Sequence, residues 1–334
     1  MHFVRLWEAA PSEARGGRYR RGSAAIAAVY CALALAACSG APAGNLPDDV
    51  LRPGEARAGR APAGVLARDG ERVYGQYCIG CHGEKGDGQG PAARFLNPKP
   101  RDFTQGVVKY AGVASGQLPR DEDLMRTLAR GLAGSSMPSW QFLPEQSRRA
   151  VIEYIKTFYP GWRERTAGSP IAISDDPYGT SDPAAVRKAV ERGRVVYHVL
   201  ATCWQCHASY ATQADVNAMA AAEGEKSGVA LRPDAAVPAV VDDMWGYQIR
   251  APDFPRQRLK GGSSLADLYR TVASGIGGTA MPTWKGALEE NDMWALAYYV
   301  KSLADRRWLE PRAIPSPPPA SLGGGAAANA PEGK

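Results

Sequence analysis

Histidine is scarce in this 334-residue chain, at four residues, and cysteine is hardly commoner, at six. Six cysteines spread over that length are too sparse for a disulfide scaffold. The longest apolar stretch, residues 23–37, holds 15 residues, short of the roughly 20 that a membrane-spanning helix needs. Aromatic residues make up only 8% of the chain. What is abundant is glycine, at 37, and proline, at 26, which leaves room for long loops and a flexible tail. A hydrophobic content of 45% is that of a globular protein, and the length suits two domains. The formal charge of +6 invites a nucleic-acid or anionic-membrane partner.

The first residues read as an address. Arg18, Arg20 and Arg21 precede the apolar run, which ends Leu35-Ala36-Ala37-Cys38-Ser39. A basic segment, a short apolar segment and small residues before a cleavage site make a secretory signal. Small residues directly before Cys38 resemble a bacterial lipobox, in which cleavage leaves the cysteine as a lipidated first residue. The alternative is a plain signal cut at an Ala-x-Ala-like site, with Cys38 a bystander. The expectation is a signal peptide over 1–37 and a lipid-anchored flexible tether over 38–65. Residues 309–334, rich in Pro, Gly and Ala, read as a disordered tail.

Between these ends the chain repeats itself. Residues 123–140 and 267–284 align without a gap and are identical at ten of 18 positions. Gly70-x-x-x-Tyr74 is matched by Gly193-x-x-x-Tyr197, and Tyr154-Ile-Lys-Thr-Phe158 by Tyr299-Val-Lys-Ser-Leu303. Each copy reads as three helices with long loops. Asp182 with Pro183 starts one helix. Middle helices over about 121–130 and 264–274 each run into a glycine suited to positive φ. Last helices over about 145–158 and 289–303 carry apolar residues at helical spacing. The resulting domains are 66–160 and 183–308, joined by a linker over 161–182 that is rich in Pro, Gly, Ser and Asp. Domains so small, with such short helices, need a staple such as a metal or a large apolar cofactor.

The candidate staple is plain in the sequence. Cys78-Ile-Gly-Cys81-His82 and Cys203-Trp-Gln-Cys206-His207 are c-type haem attachment motifs. Cysteines at i and i+3 on one helix face can both reach the two vinyl groups of one porphyrin edge, and the adjacent histidine brings an imidazole beneath the iron. A thioredoxin-like pair would follow a strand and lack the histidine. A zinc site would need the two pairs in one fold, yet they lie 125 residues apart in separate repeats.

With these motifs the chain resembles tandem class I cytochromes c, over roughly residues 66–160 and 184–305. The resemblance implies an all-α fold of two tandem cytochrome c-like haem domains, with two covalently attached c-type haems. It implies iron ligation by His82 and His207, with Met137 and Met281 as the second axial ligands on loops after the middle helices. It also implies that a proline carbonyl after the histidine orients its ring, for which Pro91 is the candidate; the second copy has no proline in that place. From His to Met the first copy spans 55 residues and the second 74, so the second has 19 extra. Met125 reads as core, His198 as a surface or packing residue, and Trp140 and Trp284 as walls of the haem pockets. The repeated Arg101-Asp102-Phe103 and Pro252-Asp253-Phe254 have no assigned role.

Ligation by His and Met fills both axial positions, which favours electron transfer over substrate chemistry. The expectation is a dihaem cytochrome, not an enzyme, relaying single electrons between redox protein partners on the periplasmic side of a bacterial membrane. No small-molecule substrate is expected. The competing reading is a dihaem peroxidase acting at one haem; a haem-based gas sensor lacks an output domain. Residues 1–37 hold five Arg and two Glu, so their removal takes three charges from +6 and leaves +3. Four haem propionates can offset that, and the nucleic-acid reading falls.

Overall fold

The computed structural model describes residues 63–225 and 228–306; the expected signal peptide over 1–37, Cys38, most of the expected tether and the whole expected tail over 309–334 lie outside them. Eleven short elements carry the fold. In the first domain they are α1 (Ala63–Tyr77), α2 (Ile79–His82), α3 (Asp121–Arg130) and α4 (Glu145–Lys156), followed by α5 (Gly161–Glu164). The second has α6 (Pro183–Val195), α7 (Gln213–Ala222), the strands β1 (Val240–Asp242) and β2 (Gln248–Arg250), then α8 (Leu265–Ser274) and α9 (Glu290–Asp305). The architecture is all-α apart from that one small hairpin, in two cytochrome c-like domains. The first helix starts at Ala63, within the segment expected as tether.

In each domain the first and last helices cross at a glycine. A side chain on Gly70 would collide with the carbonyl of Ala150, and one on Gly193 with the carbonyl of Ala295. Glycine lets the backbones meet there, which explains the repeated Gly-x-x-x-Tyr. Around the first crossing pack Val73, Tyr74, Val151, Ile152 and Ile155, with Leu124 and Leu128 from α3. Around the second pack Val196, Tyr197, Met293, Leu296, Tyr299 and Val300, with Leu268 and Val272 from α8. The second core is the larger, and its last helix is the longer at 16 residues against 12.

Helix ends follow local chemistry. Asp182 accepts from the Ala184 N–H at 2.8 Å, and Pro183 occupies the first turn. Thr212 and Asp215 bond reciprocally at the start of α7. Gly131 and Gly275 end α3 and α8 with φ of 66° and 73°, a region that favours glycine.

Two features depart from the sequence reading. Helix α7 and the hairpin both fall within residues 208–250, where only a long loop was expected. The strands are three residues each, with Val241 opposite Ile249, and are mostly exposed; that is too short for an alternating pattern to stand out. Residues 161–182, expected as a linker, lie along both domains after α5. Gly168 and Ile171 donate to Leu118 and Gly112 carbonyls of the first domain at 2.9 and 2.8 Å. Ser174 and Asp176 accept from Trp294 and Tyr298 of the second at 3.1 and 2.7 Å.

The domains also touch directly. Arg130 pairs with Asp267 at 2.8 Å, the Ser115 N–H donates to Thr283 at 2.8 Å, and the Gly277 N–H donates to the Lys109 carbonyl at 3.0 Å.

Candidate haem-attachment sites

The first Cys-x-x-Cys-His is a single helical turn. The N–H groups of Cys81 and His82 both donate to the Cys78 carbonyl, at 3.1 and 2.9 Å, which turns the two sulfurs to one side. The second turn repeats this, with Cys206 and His207 donating to Cys203 at 3.2 and 2.9 Å. None of these four cysteines is paired in a disulfide. Burial, with a smaller contribution from Cys81, pushes the Cys78 thiol up to about 12, and burial likewise pushes Cys203 up to about 12. Each turn follows a helix and is followed directly by a histidine, whereas a thioredoxin-like pair follows a strand and lacks the histidine. Among the described residues, no three His, Cys, Asp or Glu side chains gather as a metal cluster, and each cysteine pair stays in its own domain.

The carbonyl that orients His82 is that of Arg101, 2.9 Å from Nδ1, not that of Pro91. The Gly86–Pro91 loop instead folds back on the cysteine turn, where Gly90 donates to the Cys81 carbonyl at 3.1 Å. In the second domain the carbonyl of Pro252 lies 3.3 Å from His207 Nδ1. A carbonyl only accepts, so Nδ1 carries the proton in both rings and Nε2 keeps its lone pair for a metal. Burial lowers both histidine pKa values, which keeps the imidazoles neutral and able to ligate.

The unassigned Asp-Phe motif now has a role. The residue before Asp supplies the carbonyl, and the Phe lies parallel to the imidazole. Phe103 stacks on His82 at 4.5 Å between centroids and Phe254 on His207 at 4.9 Å. The repetition was the signal; what it held was not readable without the fold, because the two carbonyls lie 19 and 45 residues from their histidines.

The methionine loops also match. The Met137 carbonyl accepts from Leu132 at 3.0 Å and its N–H donates to Ser135 at 3.2 Å. Met281 does the same with Ile276 at 3.1 Å and Thr279 at 3.2 Å. Met137 packs in one apolar cluster with Cys78, Ile79, Phe103 and Trp140; Met281 does so with Cys203, Tyr210, Phe254 and Trp284. Met125 joins the first cluster, in the core role expected of it.

His198 is fully buried, so of the two roles expected for it packing is the one it has. Its Nδ1 meets the Arg194 carbonyl at 2.8 Å, and burial lowers its pKa to about 4. It lies in a five-residue π-turn, Val196–Leu200. That wide turn, with Thr202 at φ 44°, takes up the two residues by which Tyr197 is further from its cysteine than Tyr74 is.

A haem fits these surroundings. Besides the cysteine spacing and the free Nε2 atoms, the indole Nε1 of Trp140 is buried with no partner. Such an orphan costs energy unless a ligand completes it, and a haem propionate is an acceptor of the right kind.

Helical domains built on a Cys-x-x-Cys-His turn with a carbonyl-anchored imidazole define a c-type cytochrome, a protein that carries covalently bound haem and transfers electrons. Residues 65–155 and 188–300 match the family described as Cytochrome C oxidase, cbb3-type, subunit III, and the chain belongs to that family. Among solved structures, a chain of the Kuenenia stuttgartiensis reducing HAO-like protein complex is 31% identical, over 70% of this chain and 95% of that one, with a TM-score of 0.57. No curated protein matches significantly.

Proposed function

We propose that the chain is a dihaem electron carrier, each haem bound by one Cys-x-x-Cys-His turn and ligated by His82 and Met137 or by His207 and Met281. The observation that carries the reading is the duplication: both domains have the same histidine-to-carbonyl bond, the same stacked phenylalanine and the same methionine loop. The chain's residues keep each imidazole neutral and fixed in orientation, and wall each site with apolar side chains that exclude water. A bound haem would supply the one-electron chemistry, and Met137 or Met281 as a thioether ligand would favour its ferrous state. Cys38, if lipidated, tethers the carrier outside the bacterial cytoplasmic membrane, where its donor and acceptor are redox proteins. That the Kuenenia neighbour is a chain of an HAO-like complex supports a subunit role beside a larger redox partner.

Carbon monoxide tests the reading. With both sixth positions filled by methionine, the reduced protein should leave its spectrum unchanged under carbon monoxide. Stoichiometric binding at one haem would instead favour the peroxidase reading.

A further inference from the structure

The second domain's extra length lies between His207 and Pro252, a stretch that holds both α7 and the β1–β2 hairpin. The tip of that hairpin reaches the first domain. Buried Asp243 pairs with Lys109 at 3.0 Å, and its other oxygen accepts from the N–H groups of Trp245 and Tyr247, at 3.1 Å each. Trp245 lies 3.6 Å from the guanidinium carbon of Arg101, measured to the ring centroid. Arg101 is the residue whose carbonyl holds His82. Trp245 also rests against Gly278, where a side chain would collide with the indole, and Met244 N–H donates to the Gly278 carbonyl at 2.9 Å. The second domain has no such arrangement around its own histidine, since Pro252 stands where Arg101 does and offers no cation to hold.

We propose that Trp245, contributed by the second domain, is a positioning residue for the first haem, holding the Arg101 side chain and the carbonyl behind it in place beneath His82. The inference rests on the dihaem reading above. A guanidinium stacked on an indole and shielded from water is held more firmly than one at the surface. Held on the residue whose carbonyl anchors His82, its charge would favour the ferrous over the ferric state of a bound haem and raise the potential. Released into solvent, it is screened and that effect fades.

The test is a redox titration of the holoprotein with paramagnetic resonance of the oxidised haems. Trp245→Ala should move one midpoint potential downward and alter the g-values of the same haem, the one that loses its methionine signature in Met137→Ala. Trp245→Phe, which keeps a ring face for Arg101, should restore most of the shift. Arg101→Gln should shift the same haem in the same direction, and adding Trp245→Ala to it should shift that potential less than Trp245→Ala does alone, because the two share the Arg101–Trp245 contact while Trp245 also meets Lys109 and Gly278. If Trp245→Ala does not accumulate with haem, Trp245→Phe and Arg101→Gln carry the comparison. Unchanged potentials, or a shift confined to the other haem, overturn the proposal while leaving the dihaem reading intact. A wild-type protein without a Met137-dependent signature overturns that reading, and the proposal with it.

Discussion

The hydroxyl of Tyr74 donates to the carbonyl of Gly83 at 2.7 Å, fastening the helix before Cys78 to the residue just after His82. Tyr197 does the same to the Ala208 carbonyl, also at 2.7 Å. Burial raises both phenol pKa values, so both hydroxyls stay protonated donors. Removing the Tyr197 hydroxyl leaves the buried Ala208 carbonyl unpaired, at a cost of about 1–3 kcal/mol, whereas the Gly83 carbonyl keeps the Gly86 N–H at 3.2 Å and its loss should be the smaller. Tyr74→Phe and Tyr197→Phe should each lower the denaturant midpoint followed by haem absorbance. Midpoints equal to wild type would show that the bond contributes nothing.

The helix crossings are expected to be equally demanding. Alanine at Gly70 or Gly193 has no room, because the opposing carbonyl of Ala150 or Ala295 occupies its place. Gly193→Ala should destabilise the second domain by about 1–3 kcal/mol and reduce the yield of haem-loaded protein. The control is Gly75→Ala on the open side of α1, where nothing lies within 4 Å. Equal yields from the two variants would contradict the crossing argument.

His198 should give the protein a specific sensitivity to acid. Its folded pKa is lowered to about 4 by burial, against about 6.5 in an unfolded chain. The unfolded state binds the proton first, so this contribution is complete above about pH 6.5 and is lost as the pH falls towards 4. Between pH 7 and pH 4.5 it amounts to about 2–3 kcal/mol. His198→Asn should flatten that part of the stability profile, read as the difference from wild type in denaturant midpoint at the two pH values. Parallel profiles would mean that His198 does not titrate this way.

Met137→Ala should remove the methionine-to-iron charge-transfer band from one haem and lower that haem's potential, with the other haem unaltered. Met125→Leu, a change in the core of the same domain, should leave the band in place. A full band in Met137→Ala would mean that another residue holds the sixth position.

Much of this was legible beforehand, for identifiable reasons. Covalent attachment demands a fixed local spacing, so both cysteine turns stood out in the sequence. The methionine loops were recognisable because the repeat keeps Met137 and Met281 in register. Partners of the histidines were not legible, because backbone carbonyls carry no residue signature and any residue can supply one. The Asp-Phe repeat marked the place, but a family habit drew attention to Pro91 instead of Arg101. Nor was Trp245 legible, because it has no counterpart in the first copy and acts across a domain boundary that local patterns do not describe.

Haem stoichiometry is the most direct measurement of the central claim. A pyridine haemochrome assay on purified full-length protein, set against amino-acid analysis, should give two c-type haems per chain, falling to one when Cys203 and Cys206 are both replaced by alanine. One haem per chain in the wild type, or none, would contradict the account.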